Sequence, residues 1–583
     1  MINLLYIILI LVVALVVSYS FGGFNEDMVA KRGLRGGSVQ NAVSSMSVPE
    51  EPERLIESSI EQPKEITKEE VLSGDFETYV RDGTRDGCIE IWQSHQGPGV
   101  ITLNNYNSDL EISDPSGCYN LMENVIFDYA IRVSGGQGGN YLDCQGFTIT
   151  GSSAKDGFVI SDEGDVRNCN VQGRKSGFLL YDNTKVTNSN SNNNLLYGFY
   201  VTENAIVSNS GAIGNPYGFY LTGTTPHVED STAIDNGYGF YIQSQYYSQY
   251  GGVFRGTAVS NSVGFIVYTQ GFIYDSISRD NENDGFWFHG GGGIYDSYSI
   301  NNHRHGYTLT AGGINIVNST AIDNDGRGFN LAYRTQNVIN CESRGNYDGF
   351  VLISPGASPD IPPVFQDCLA SDNTRYGFYV NTGEISHSEF DVQSSTATGN
   401  QYGFYIVGKG WVSSSTAENN QKDGFYLHNS KVSDCEANNN GRHGFNLNSD
   451  SSILYGSATR NRGTDQDCVD VQGNNICYGI YLGGVSFGEA VTSNLNMNGI
   501  FVDQQTYLRN WGNENGQVCY NDNHDIYVNH GTVFGTYETS TIPPAGAGDW
   551  SDATFIDCSF ERPHEPTGGC SPLVMKKPCT IMQ

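Results

Sequence analysis

Four ionisable side chains stand in step with a repeating glycine. Asp284, His305, Arg327 and Asp348 each precede the Gly of a Gly-aromatic pair, at Gly285-Phe286, Gly306-Tyr307, Gly328-Phe329 and Gly349-Phe350. Residues that recur at a fixed step stack in space when each step is one coil, and neighbouring coils then lie about 4.8 Å apart. His305 beside Arg327 offers a base and a charge-neutralising cation, the pair needed to take a proton from the carbon next to a carboxylate, as in a uronate. Trp287 and His289 share the coil of Asp284, and His303 lies one coil on. The same four residues read equally as a charge-complementary surface ladder with no chemistry. Distance excludes one reaction. Asp284 and Asp348 are three coils apart, roughly 14 Å, whereas a glycosidase carboxylate pair needs about 5–9.5 Å.

A second column stands two positions after the glycine: Tyr200, Tyr220, Tyr241, Trp287, Tyr379, Tyr405 and Tyr426. Alternation along a strand points these residues outward, as an exposed aromatic ladder on one face. Aromatic rings bind the apolar faces of sugars while hydroxyls take edge hydrogen bonds, so the ladder is a candidate substrate-binding surface for polysaccharide. Tyrosine also favours strands and stacks well between coils without any ligand.

Both columns depend on one repeat. The Gly-aromatic pair recurs from Gly157-Phe158 to Gly444-Phe445, usually at a step of about 21 residues, too short for a helical repeat and suited to one coil of a β-solenoid. The unit reads roughly [Val/Ile]-x-[Asn/Asp]-[Ser/Cys]-x-[Ala/Ser]-x-x-Asn-x-x-x-Gly-Phe-x-[Val/Leu/Ile]. Its three short period-2 runs, separated by Asn and Gly, predict three strands per coil with the Phe and the following aliphatic inward. Asn before the turn, as at Asn194, Asn302 and Asn420, is expected to adopt a left-handed backbone and to stack its amides from coil to coil.

The stretch Tyr141-Leu-Asp-Cys-Gln-Gly-Phe-Thr-Ile-Thr-Gly151, preceded by Cys118-Tyr-Asn-Leu-Met-Glu-Asn-Val-Ile126, resembles the first coils of the right-handed parallel β-helix repeat family, which includes NosD-like and carbohydrate-active β-helix proteins. The resemblance covers residues 88–535. It implies an all-β chain folded as a single-stranded right-handed parallel β-helix of about 15–18 coils with capped ends. It does not fix an activity, because this scaffold hosts lyases, hydrolases, esterases, epimerases, adhesins and viral fibres. The Asp-Pro-His segment of alginate epimerases is absent, as are the Gly-His-Gly and Arg-Ile-Lys segments of polygalacturonases. The copper association of NosD-like proteins has no residues here to carry it.

The ends differ from the repeat. Residues 1–24 are almost wholly apolar and read as a signal peptide or an N-terminal membrane anchor, with Lys31, Arg32 and Arg35 following. Residues 25–87 read as a disordered acidic linker, and 536–583 as an irregular cysteine-containing cap. A net charge of −33 argues against nucleic acid and anionic membrane surfaces as partners. Of the 13 cysteines, Cys144, Cys169, Cys341, Cys368, Cys435 and Cys558 occupy a slot filled elsewhere by Ser189, Ser231, Ser297 and Ser319, and are expected mostly as packing thiols. The other seven cluster towards the ends and predict disulfide staples in an oxidising compartment. Asn318-Ser319-Thr320 is a glycosylation sequon. No metal site is expected: Asp280-Asn-Glu-Asn-Asp-Gly285 looks like a Ca²⁺ loop but lacks the closing Glu.

These features predict an extracytoplasmic protein, membrane-anchored or secreted, that acts as a surface module for polysaccharide or cell-surface glycan. A polysaccharide lyase or epimerase and a purely structural surface or virion component are the two alternatives.

Overall fold

The computed structural model describes residues 88–539, 549–557 and 580–581, apart from short runs at 96–99, 114–116, 136–140, 245–250, 311–312, 333–336, 354–362, 384–388, 463–476, 504–505, 511–515, 519–520, 522–524 and 530–531. Contacts divide the chain into Met1–Ile66 and Thr67–Gln583, and every described residue lies in the second unit. The candidate signal or anchor and the whole of the acidic linker fall outside the described residues.

The fold is an all-β, right-handed parallel solenoid of about 17 turns. One coil shows the plan. Lys185–Thr187 belongs to a first sheet, Asn190–Asn192 to a second and Tyr197–Thr202 to a third. Each strand pairs in parallel with its equivalent one coil on: Val186 with Val207, Ser191 with Ala212, Phe199 with Phe219. The first sheet continues through Thr532–Thr539, which pairs in parallel with Asp549–Asp557.

The core is a set of vertical columns. Phe158, Phe178, Phe199, Phe219 and Phe240 are all fully buried, and their rings stack at 4.8–5.2 Å. The column continues without a gap to Phe445, with Tyr307 replacing Phe once and its hydroxyl donating to the Ser297 carbonyl at 2.6 Å. Truncating one such ring to Ala typically costs about 3–5 kcal/mol. The glycine before each Phe is there for close approach. A Cβ on Gly198 would sit 2.5 Å from the Gly218 carbonyl oxygen and 3.0 Å from the Ala212 methyl.

Asn194, Asn215, Asn236, Asn261 and their successors form a buried amide ladder. Each backbone N–H and each Nδ2 donates to the Oδ1 of the next rung, as from Asn194 to Asn215 at 2.9 and 3.0 Å. These rungs do not carry the left-handed turn expected of them. That conformation belongs to the preceding residue, with φ of 51° at Asn193, 52° at Asn301 and 54° at Asn419. The rung itself must aim its amide inward, so its exposed neighbour makes the bend. At the start of the ladder the same slot holds Arg174. Its backbone N–H donates to Asn194 Oδ1, and its fully buried guanidinium donates to the carbonyls of Phe127, Tyr129 and Asp156.

The cysteine slot divides. Cys341, Cys368 and Cys435 are buried thiols, as the Ser-like slot predicts. Cys144 and Cys169 are instead joined in a disulfide with Cα atoms 4.8 Å apart, because equivalent slots on adjacent coils already meet the spacing a disulfide needs. Cys88 and Cys118 form a second bridge near the N-terminal end, and Cys477 is also disulfide-bonded. Cys468, Cys519, Cys558, Cys570 and Cys579 lie outside the described residues.

Candidate functional site

The turn into the third sheet ends on the residue before each glycine, and this brings three of the four predicted ionisable groups together. Asp348 is 1% exposed, and Arg375 of the next coil donates to both of its oxygens at 2.8 Å. Arg327 Nε lies 3.7 Å from the same carboxylate, while its Nη1 donates to Asn330 Oδ1 at 2.6 Å. His305 Nδ1 accepts the Arg327 backbone N–H at 3.0 Å. Asp284 joins only through the main chain, its Oδ1 accepting the His305 backbone N–H at 3.2 Å, with the Arg304 guanidinium 3.6 Å from Oδ2. Asp284 and Asp348 do not meet.

These contacts set the protonation states. With Nδ1 used as an acceptor, the neutral His305 ring carries its proton on Nε2. Burial, then the cations Arg304 and Arg327, lower its pKa to about 4. At neutral pH the His305 ring is therefore uncharged, with Nε2–H as its donor. Burial raises the Asp284 pKa, and Arg304 with the His305 N–H offsets only part of that effect.

The same arrangement occurs a second time. Asp423 precedes Gly424, and Arg442-His443-Gly444 follows one coil on, just as Arg304-His305-Gly306 follows Asp284. Asp423 Oδ1 accepts the His443 backbone N–H at 3.1 Å, and His443 Nδ1 accepts the Tyr478 backbone N–H at 3.0 Å. Arg442 grips both Asp423 oxygens, and Asn446 Nδ2 donates to Oδ2 at 3.0 Å. A buried carboxylate that caps the next coil's N–H is thus a structural device of this solenoid. Arg304, Arg375 and Arg442 were not singled out from sequence as members of these clusters. The signal that could have found two of them is the doubled Asp-Gly, Arg-His-Gly spacing.

The aromatic ladder is real but interrupted. Tyr200, Tyr220 and Tyr241 stack at 5.5 and 5.1 Å with ring planes 11° and 7° apart. Tyr379, Tyr405 and Tyr426 stack at 5.7 and 4.4 Å. Alongside run Tyr197, Tyr217 and Tyr238 in the first block and Tyr376 and Tyr402 in the second. Between the blocks the column holds Ile266, Trp287, Thr308, Asn330 and Val351, next to the ionisable cluster. Stacked rings cover one another's faces, so each block presents half-buried ring edges and hydroxyls rather than open faces. Burial and the neighbouring phenols push the Tyr220 pKa up to about 12, so its hydroxyl stays neutral and donates to Gln243 Oε1 at 2.5 Å. Trp287 stands apart, its indole 4.5 Å from the His289 ring and its Nε1 buried with no partner among the described residues.

Charge is segregated. From Val159 to Tyr527 the outward column two residues after each glycine carries no Asp, Glu, Lys or Arg, although the chain carries −33. Many carboxylates sit instead at the two left-handed corners flanking the second sheet, for example Asp230 and Asp280 with φ of 48° and 55°. Asp280 Oδ1 accepts from Asn301 Nδ2 at 2.7 Å, while Asp284 turns inward to the next coil, so residues 280–285 do not converge on a common point. No group of three or more His, Cys, Asp or Glu able to hold a metal ion occurs among the described residues. Asn318 is an exposed corner residue whose Nδ2 donates to Asp296 Oδ1 at 3.0 Å. No helix among the described residues is long and apolar enough to cross a membrane.

No family model matches the sequence, and no curated protein matches it. Among the solved structures that align with it are the A-modules of the mannuronan C-5 epimerases AlgE4 and AlgE6 of Azotobacter vinelandii. Each is 12% identical and covers 76% of this chain and 91% or 92% of its own, at a TM-score of 0.16. A superposition that loose carries no argument about this chain's function.

Proposed function

We propose that this protein is an extracytoplasmic solenoid, secreted or membrane-anchored through residues 1–24, that holds a polysaccharide chain along its third sheet. The observation that carries the reading is an outward column free of Asp, Glu, Lys and Arg that holds stacked tyrosines, offering one hydroxyl edge per coil within each block. A coil advances about 4.8 Å, close to the length of one sugar unit in an extended chain. A glycan lying along the axis then meets one phenol per residue, through edge hydrogen bonds rather than face stacking. The Cys88–Cys118 and Cys144–Cys169 disulfides suit an oxidising compartment.

The test is a triple Tyr→Phe change at Tyr200, Tyr220 and Tyr241, with binding of the full chain measured on neutral and acidic glycans. Stacking survives in this variant and only the hydroxyls go. At about 0.5–1.5 kcal/mol per neutral hydrogen bond, affinity for the recognised glycan falls about tenfold or more. Unchanged affinity with unchanged folding sinks the edge-binding reading.

One observation favours a second reading, a lyase or epimerase acting beside Asp284, His305, Arg327 and Asp348. His305 is half-buried, its Nδ1 accepts the Arg327 backbone N–H, and the Arg327 side chain is 28% exposed. Polysaccharide incubated in deuterated water would then yield unsaturated oligosaccharides or incorporate deuterium at a ring carbon. Neither product across the panel removes the enzyme reading.

A further inference from the structure

The Ser-like slot forms one vertical column, and its occupants explain each other. Where the slot is Ser, the hydroxyl donates to the carbonyl two residues back and accepts a backbone N–H from the preceding coil. Ser189 does so at 2.8 Å to the Thr187 carbonyl and 3.1 Å from the Cys169 N–H. Most of the column is Ser, through Ser210, Ser231, Ser276, Ser297, Ser319, Ser395 and Ser415. Cysteine occupies adjacent coils twice: at Cys144 with Cys169, and at Cys341 with Cys368. The first pair is a disulfide with its Cα atoms 4.8 Å apart. The second pair consists of two thiols, each 2% exposed.

Register places the second pair as closely as the first. Glu342 pairs with Leu369, the residues that immediately follow the two cysteines, and the Leu369 N–H donates to the Cys341 carbonyl at 2.9 Å. Stacked positions of a parallel ladder are about 4.8 Å apart, inside the 4.4–6.8 Å window for disulfide Cα atoms. Cys368 Sγ lies 3.3 Å from the carbonyl oxygen of Val338, on the coil of Cys341, so the side chain reaches towards that coil. After burial, Cys368 is the largest influence raising the pKa of the Cys341 thiol, as expected of near neighbours. Cys435 supplies an internal control, since its slot neighbours are Ser415 and Gly456 and it has no thiol to meet.

We infer that Cys341 and Cys368 are a disulfide-forming pair, a further axial staple closed by exchange with a small-molecule disulfide such as oxidised glutathione. One thiolate attacks the oxidant, forming a mixed disulfide and releasing one thiol. The second thiolate then attacks the protein sulfur of that mixed disulfide and releases the other thiol. The two protons lost by the cysteines end on the two released thiols, and two electrons pass from the protein to the oxidant. Burial keeps the Cys341 thiol protonated in the folded chain, so exchange proceeds while the coils are open, during folding or local opening. The closed loop spans Asp348, and so ties the coil of Asp348 to the coil that supplies its partner Arg375. This inference does not depend on what the third sheet binds.

The experiment uses the full chain, reduced, unfolded, and refolded with either oxidised or reduced glutathione. Free thiols are then alkylated under denaturing conditions and the protein is digested with trypsin without reduction. Cleavage after Arg334, Arg344 and Arg375 places Cys341 in Thr335–Arg344 and Cys368 in Gly345–Arg375, while Cys435 falls in Val432–Arg442. The expected result is a linked pair of the first two peptides after oxidation, separable by reductant, with Cys435 fully alkylated in both samples. Alkylated Cys341 and Cys368 after oxidative refolding overturn the inference. A Cys341→Ser, Cys368→Ser variant keeps the residue that the column favours. It should lose part of the oxidant-dependent rise in thermal midpoint, and a rise equal to the parent's overturns the claim that this pair ties the coils together.

Discussion

The clusters at Asp423 and at Asp284 are built from the same sequence spacing, yet they shift their carboxyl pKa values in opposite directions. Asp423 is fully buried, and burial pushes its pKa up. The paired Arg442, the neighbouring His443 and the Asn446 amide outweigh that push, and the net shift is downward. Asp284 is as deeply buried, but Arg304 stands 3.6 Å away with half its side chain in water, and the net shift is upward. Burial is common to both sites. What differs is whether the cation closes on the carboxylate, and that decides which way the pKa of a buried acid in this solenoid moves.

The largest expected effect tests that difference at the tighter site. Arg442→Ala leaves Asp423 buried without its bidentate partner, which typically costs about 3–5 kcal/mol. The loss is read as a lower thermal midpoint, and a variant as stable as the parent would place the stabilisation elsewhere. Acid provides the next test. The His443 pKa falls to about 4, because burial outweighs the nearby Asp423 carboxylate. A base whose folded pKa lies below its unfolded value of about 6.5 binds more protons when unfolded. Stability is therefore lost as pH falls from about 6.5 towards 4, by up to about 3 kcal/mol for this side chain. His443→Gln should flatten that part of the profile when thermal midpoints are measured across it. An unchanged slope assigns the pH dependence to other groups, His305 first among them.

Much of the architecture was legible because the repeat states it many times. The inward Phe, the aliphatic two residues on and the Asn rung follow from alternation and from the step of the glycine. Legibility failed where a residue's role depends on the coil above it. The left-handed turn was assigned to the Asn rung rather than to its exposed neighbour, since sequence alone does not say which of two adjacent Asn or Asp residues points inward. Cys144 and Cys169 were placed correctly in the packing slot, but their adjacency across one coil, which makes them a bridge, was not used. The candidate site was half legible. Asp284, His305, Arg327 and Asp348 do form one column, but Arg304 and Arg375, whose guanidinium groups lie against Asp284 and Asp348, sit one residue outside it.

The smallest effect is expected at Arg304, and its pH dependence separates the two clusters most cleanly. Arg304→Ala removes a cation that is 54% exposed and 3.6 Å from Asp284. An interaction that open to water is worth less than about 1 kcal/mol, against several for Arg442. Asp284 also has an escape that Asp423 lacks. Its pKa is already raised, so on losing Arg304 it takes up a proton more readily instead of remaining an unpaired charge. A carboxyl whose folded pKa exceeds its unfolded value adds stability at acid pH, and loses it as pH rises through the folded pKa. The deficit of Arg304→Ala should therefore vanish at the acid end of the folded range, where Asp284 is protonated in variant and parent alike, and be largest near neutral pH. A deficit equal at both ends would mean that Arg304 acts through packing of its stem rather than through the Asp284 charge.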